Sequence, residues 1–173
     1  SMSYLEAVRK LRIRIMKDME KKEYQTLLVT SSIPGEGKTT LSANLAISIA
    51  QQGKKVLLID CDLRNPSVAG VMNEKEPHLG LGSVLKKEVP LSRSITKVKL
   101  PRERTNEDGI LHVIFGGAPD GENSMLIGSS RMEILIDSVK PKYDIIILDT
   151  APSELLADAP LLGKYVDAAL YVI

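Results

Sequence analysis

The chain has 173 residues, 43% hydrophobic and 26% charged, with a formal net charge of +1. A chain of this size buries roughly 68 to 70% of its extended surface on folding, enough for one core without staples. Its one cysteine, Cys61, excludes an internal disulfide or a thiolate metal cluster and favours a reducing compartment. The near-neutral charge gives no global field toward nucleic acid, and no apolar run approaches the ~18 residues of a spanning helix. Ser1 ahead of Met2 reads as a cloning remnant and carries no fold information.

Leu5, Val8, Leu11, Ile15 and Met19 recur at spacings of three and four, which predicts a helix over Tyr4 to Lys21 that docks through one apolar stripe. The short run from Thr26 to Ser31 predicts the first strand. After a glycine-rich turn, Leu41, Leu45 and Ile49 predict a helix from Thr39 to Gln52, which Gly53 can end. Lys55 to Asp60 and Tyr143 to Asp149 are continuous rather than alternating apolar runs, as expected for parallel strands covered on both faces. Ala168 to Ile173 looks similar, which places Tyr171 in a core strand.

The middle of the chain reads as a loop over Asn65 to Gly82, a short helix near Ser83 to Lys87, and strands around Ile95 and Leu111 to Phe115. Lys97 to Asp108 carries many charges and reads as a solvated hairpin or loop. Ser129 to Val139 predicts another helix. Alternating β and α elements without repeats define a single α/β domain, a mostly parallel central sheet with helices on both faces.

Between the first strand and its helix lie Ser31, Ser32, Ile33, Pro34, Gly35, Glu36, Gly37, Lys38, Thr39 and Thr40. Backbone N–H groups can cradle a triphosphate only if side chains stay clear, which Gly35 and Gly37 permit. Lys38 can reach the β and γ phosphates, and the Thr39 hydroxyl can ligate Mg2+. This is the P-loop arrangement, with Ser32 where the G-x-x-x-x-G-K-[ST] pattern has its first glycine. The expected ligands are ATP and Mg2+.

In a parallel sheet, ligands bind beyond the carboxyl ends of the strands. Two predicted strands end in acids there: Asp60, followed by Cys61, Asp62, Leu63 and Arg64, and Asp149, followed by Thr150 and Ala151. One carboxylate can hold Mg2+ while another takes a proton from an attacking hydroxyl.

S-S-I-P-G-E-G-K-T-T, L-L-I-D-C-D-L-R-N-P and I-I-L-D-T-A-P resemble, in order and spacing, the Walker A, Walker A' and Walker B motifs of the bacterial tyrosine kinases that control capsule and exopolysaccharide synthesis. The resemblance implies a P-loop NTPase fold and an autophosphorylating, ATP-dependent tyrosine kinase. In it, Thr39, Asp60 and Asp149 surround the metal, Lys38 binds phosphate, Asp62 activates the tyrosine hydroxyl, and Arg64 serves the phosphoryl oxygens or the acidic cluster. Pro34, Gly35, Glu36, Gly37 and Thr40 complete the nucleotide loop. Glu6, Arg9 and Arg12 match the family's E-x-x-R-x-x-R ring-assembly pattern, which divides the chain into residues 1–24, an oligomerisation helix, and 25–173, the kinase domain.

The resemblance also implies a homo-oligomeric ring, protein tyrosine substrates, a cognate tyrosine phosphatase and a transmembrane polysaccharide co-polymerase-type activator, fused or separate. That activator would hold the chain in the cytoplasm at the inner face of the membrane. The chain ends before the tyrosine-rich tail of the family, as if truncated, and its N-P-x-E-L-L stretch is matched only loosely at Asn123 to Ile127. A second reading is an assembly scaffold or an ATPase of the MinD/ParA-like group. The signature lysine of those ATPases would fall at Ile33, and a glycine of their loop at Pro34.

Overall fold

The unbroken apolar runs explain the centre of the fold. In the computed structural model, which describes residues 2–33, 36–75, 79–151 and 165–173, β1 (Thr26–Ser31) and β5 (Ile145–Asp149) are buried at every position. β2 (Lys55–Asp60) is buried at all positions but Lys55. Strands whose successive side chains alternate faces yet are all buried must be covered on both sides. Together with β3 (Ile95–Val98), β4 (Ile110–Ile114) and β6 (Ala168–Val172) they form a six-stranded sheet in the order β3-β4-β2-β5-β1-β6. Among the described residues only β3 runs antiparallel, against β4.

One face of the sheet carries α1 (Met2–Lys22) and α2 (Glu36–Gln51), whose Met19, Leu45 and Ile49 pack with Val29, Leu58 and Ile147. The other carries α4 (Leu81–Leu85) and α5 (Ser130–Val139), whose Leu81, Leu85, Met132 and Ile136 pack with Leu28, Leu57, Ile59 and Leu148. The core is thus two apolar layers separated by the sheet. Gly53, with φ of 97°, reverses the chain after α2 and donates its N–H to Ala50 O at 3.0 Å. That left-handed turn suits glycine.

The mostly parallel P-loop fold read from the sequence is present, with local differences. The stretch read as a loop over Asn65 to Gly82 contains α3 (Val68–Val71), and α4 begins at Leu81 rather than Ser83. α2 starts at Glu36, earlier than Thr39, and β4 covers Ile110–Ile114. The charged segment holds a 3-10 turn at Arg102–Arg104 and is pinned to the α2–β2 connection through Asn106 N–H, which donates to Gln51 O at 3.0 Å.

On α1, Val8 and Met19 are buried but Leu5 is 62% exposed. It lies about 60° around the helix from Val8, to the side away from Leu11, and so leaves the docking stripe. Tyr171 is 54% exposed rather than in the core, because among the described residues β6 pairs with β1 alone and lies at the edge of the sheet. No helix among the described residues is long and apolar enough to cross a membrane.

Candidate functional site

The strand order brings three functional segments side by side. β5 lies between β2 and β1, so the carboxyl ends carrying Asp60, Asp149 and the Ser31 loop are neighbours, with Asp60 opposite Asp149 in register. The chain leaves β1 toward β2 but leaves β5 toward β6 on the far side of β1. A crevice opens where connections diverge in this way, and it is the usual ligand site of such sheets.

Lys38 sits in the first turns of α2, and its Nζ reaches Asp149 Oδ1 at 2.5 Å. Both side chains are nearly dry, at 5% and 0% exposed. Thr39 Oγ1 donates to Asp149 Oδ2 at 2.9 Å, and Ser42 Oγ donates to Asp149 Oδ1 at 2.8 Å. An unpaired carboxylate this deep would be costly; here a cation and two hydroxyls satisfy it. Ser42 is one helical turn beyond Lys38 and also approaches Lys38 O at 3.1 Å.

Asp60 is also fully buried, but its partners come from its own loop. Oδ1 accepts the Asp62 N–H at 3.1 Å, and Oδ2 accepts the N–H groups of Ser67 and Val68 at 3.0 and 3.1 Å. Burial pushes its pKa up to about 7, and the charge of Asp149 adds to the rise, against the pull of these N–H bonds. Gly116 passes so close that a Cβ would sit 2.7 Å from Pro66 Cβ, so the loop after β4 packs directly on this turn. Asp62 is half-buried; burial raises its pKa, opposed by the Asn65 N–H at 3.1 Å and by the charge of Lys38.

Lys38, Thr39 and Asp149 are therefore in direct contact, with Asp60 on the adjacent strand and Asp62 within the electrostatic reach of Lys38 and Asp149. Arg64 is exposed, its guanidinium against Gly121, where a Cβ would lie 3.4 Å from Nη1. Pro34, Gly35 and the side chain of Glu36 lie outside the described residues. Thr40 is half-buried on α2. Glu6 and Arg9 are exposed on α1, remote in sequence from the crevice, and Arg12 donates to Ser48 Oγ on α2 at 3.3 Å.

Ser42 and Ser67 were missed in the sequence. Ser42 could have been found from its i+4 spacing to Lys38, whereas Ser67 follows no pattern.

The donor set fits Mg2+ with a polyphosphate. Its oxygens, from Thr39, Asp60 and Asp149, are hard ligands, yet no group of three or more His, Cys, Asp or Glu among the described residues could hold a metal alone. Such a site suits a cation that shares its shell with water and phosphate. Space for the phosphates remains: a Cβ at Gly37 would meet nothing within 4 Å, and a cleft of about 210 Å³ is lined by Ser31, Ser32, Ile33, Gly37 and Lys38 with Val172 and Ile173. A wider cleft of about 650 Å³ between Lys97 and His112 lies at the amino ends of the strands and contains none of these acids.

The fold and the loop define a P-loop nucleotide-binding domain, and residues 25–166 match the family model described as an AAA domain. The chain is 37% identical over 168 residues to the tyrosine-protein kinase YwqD of Bacillus subtilis (strain 168), covering 97% of this chain and 67% of that protein. It is 33% identical to a putative tyrosine-protein kinase in the cps region of Klebsiella pneumoniae, covering 97% of this chain and 22% of that protein. Among solved structures, the kinase domain of the Escherichia coli tyrosine kinase ETK superposes with a TM-score of 0.82 at 33% identity, covering 97% of this chain and 62% of that one. MinD of Pyrococcus horikoshii OT3, complexed with Mg-ADP, superposes with a TM-score of 0.67 at 27% identity, covering 86% of this chain and 57% of that one. The chain belongs to the bacterial tyrosine-kinase family. It spans about two thirds of the YwqD relative and less of the others.

Proposed function

We propose that the chain binds Mg-ATP in the crevice and transfers the γ-phosphoryl group to protein tyrosine, its own included, in the control of capsular or extracellular polysaccharide synthesis. The observation that carries this reading is the meeting of Lys38, Thr39 and Asp149 beside Asp60 and Asp62, in a chain whose relatives are named tyrosine-protein kinases.

Lys38 would leave Asp149 to hold the β and γ phosphates, with the backbone from Pro34 to Thr40 around them. Thr39, Asp60 and Asp149 would hold Mg2+, which supplies charge neutralisation at the phosphoryl oxygens. Asp62, its pKa raised by burial, would accept the phenolic proton as the tyrosine oxygen bonds to the γ-phosphorus and the bond to the β–γ bridging oxygen breaks, releasing ADP. Arg64, on the same loop, would serve the phosphoryl oxygens or the acidic cluster.

In the same reading residues 1–24 form an assembly helix and 25–173 the kinase domain. Glu6, Arg9 and Arg12 bridge neighbours in a ring, and a transmembrane activator, fused or separate, holds the assembly at the cytoplasmic face of the membrane. A tyrosine phosphatase would reverse the modification. A second reading is an ATPase or assembly scaffold without tyrosine transfer, for which MinD stands only as a relative in fold.

Transfer of labelled γ-phosphate to tyrosine in a tail-bearing substrate with an activator, compared between the native chain and Lys38→Met, tests the proposal. Labelling lost in Lys38→Met supports it. ATP consumption with no tyrosine labelling would favour the second reading.

A further inference from the structure

Ser67 stands at the amino end of α3, where a serine ordinarily caps its own helix. Its hydroxyl makes no such cap bond. Instead it crosses to α2 and lies 3.0 Å from Thr39 Oγ1, while its main-chain N–H donates to Asp60 Oδ2 at 3.0 Å. One residue therefore touches both the P-loop helix and the acid at the end of β2.

The direction of the hydroxyl contact follows from the available protons. Thr39 has a single hydroxyl hydrogen, and its oxygen lies 2.9 Å from Asp149 Oδ2, an acceptor without a hydrogen to offer when ionised. That hydrogen is committed to Asp149, so Ser67 donates to Thr39. A directed chain results, from Ser67 O–H to Thr39 O–H to Asp149. The Thr39 oxygen has two lone pairs, and Ser67 occupies one.

We propose that Ser67 is a positioning residue for the divalent cation. With the Thr39 proton held by Asp149 and one lone pair held by Ser67, the remaining lone pair has a fixed direction, and it is the one free for Mg2+. Through its N–H, the same residue sets the Asp60 carboxylate relative to Thr39. Outer groups that orient metal ligands commonly matter nearly as much as the ligands. The inference rests on the nucleotide reading of the site and deepens it.

The test is the affinity of the full chain for a fluorescent ADP analogue, measured with Mg2+ and with EDTA, in the native protein and in Ser67→Ala, Ser67→Thr and Thr39→Ala. Ser67→Ala keeps its N–H on Asp60 and loses only the hydroxyl. Its Mg2+ enhancement should fall roughly five- to ten-fold while its affinity in EDTA stays native. Ser67→Thr should restore the enhancement, and Thr39→Ala should abolish it. Native enhancement in Ser67→Ala, or an equal loss with and without Mg2+, would overturn the role of Ser67. If that happens while Thr39→Ala behaves as expected, the nucleotide reading stands without it. No Mg2+ enhancement in the native chain would sink both.

Discussion

Asp60 and Asp149 are register partners at the ends of neighbouring parallel strands, both buried, yet their carboxylates are satisfied from different directions. Main-chain N–H groups of the loop after β2 hold Asp60, whereas side chains of α2 hold Asp149. The cation in this pair of sites contacts only Asp149, and Asp60 is left as the acid whose burial dominates its proton affinity.

That difference has a pH signature. The Asp60 pKa is raised to about 7 in the folded chain, against about 3.9 when unfolded. Between these values the native state binds more protons, so the contribution of Asp60 to stability is full below about pH 4 and is lost as pH rises to about 7. Urea denaturation from about pH 5 to 8 should show the native chain losing stability relative to Asp60→Asn up to about pH 7, with no further relative change above it. A constant difference would mean that the N–H donors keep Asp60 charged throughout.

Lys38→Met leaves Asp149 buried with only hydroxyl partners. Breaking one side of a buried ion pair costs about 3 to 5 kcal/mol, and Ser42 and Thr39 should hold the loss near the lower figure. Adding Asp149→Asn should recover part of it, so the double variant unfolds at a higher denaturant concentration than additivity predicts.

Asp62 touches neither Lys38 nor Thr39 in any described hydrogen bond, so its proposed role can be separated from binding. Asp62→Asn should lower tyrosine transfer by about 10²- to 10⁴-fold while nucleotide affinity stays within about two-fold. A parallel fall in both would place Asp62 in the binding site instead.

For the helix stripe, Glu6, Arg9 and Arg12 replaced together by alanine should convert an oligomer to monomers in sedimentation, with nucleotide affinity close to native. Loss of the Arg12 to Ser48 bond costs little at this partly exposed position. An unchanged mass, where the native chain is oligomeric, would reduce the stripe to a solvated face.

The core offers a contrast of burial. Leu45 is 0% exposed on α2 and Ile134 is 68% exposed on α5. Leu45→Ala should cost about 2 to 5 kcal/mol in chemical denaturation, and Ile134→Ala within about 0.5.

What could be read beforehand follows from how each element is held. β2 and β5 announce themselves because both their faces are covered, so the apolar run continues to the acid at its end, and β1 shows the same through Leu27, Leu28 and Val29. β3 is half-buried and antiparallel, and Ile-Thr-Lys-Val marks a strand near Ile95 without showing its direction or its partner. The order of strands, which alone brings Asp60 beside Asp149, is a long-range fact without a local pattern. Lys38 and Thr39 were legible because a phosphate loop constrains neighbours in sequence. Ser67 was not, because its hydroxyl departs from the local capping role that serine usually has. Tyr171 misled because an edge strand can be apolar while half of it faces outward.

On the proposed role of Lys38, its bond to Asp149 makes ligand capture an exchange rather than an addition. An anion that draws Lys38 away must first match what the carboxylate already supplies, so the observed affinity measures a difference between two pairings. On the proposed reading, a weaker carboxylate partner, with Lys38 intact, would raise the grip on a bare phosphate even as it spoiled the place proposed for a metal.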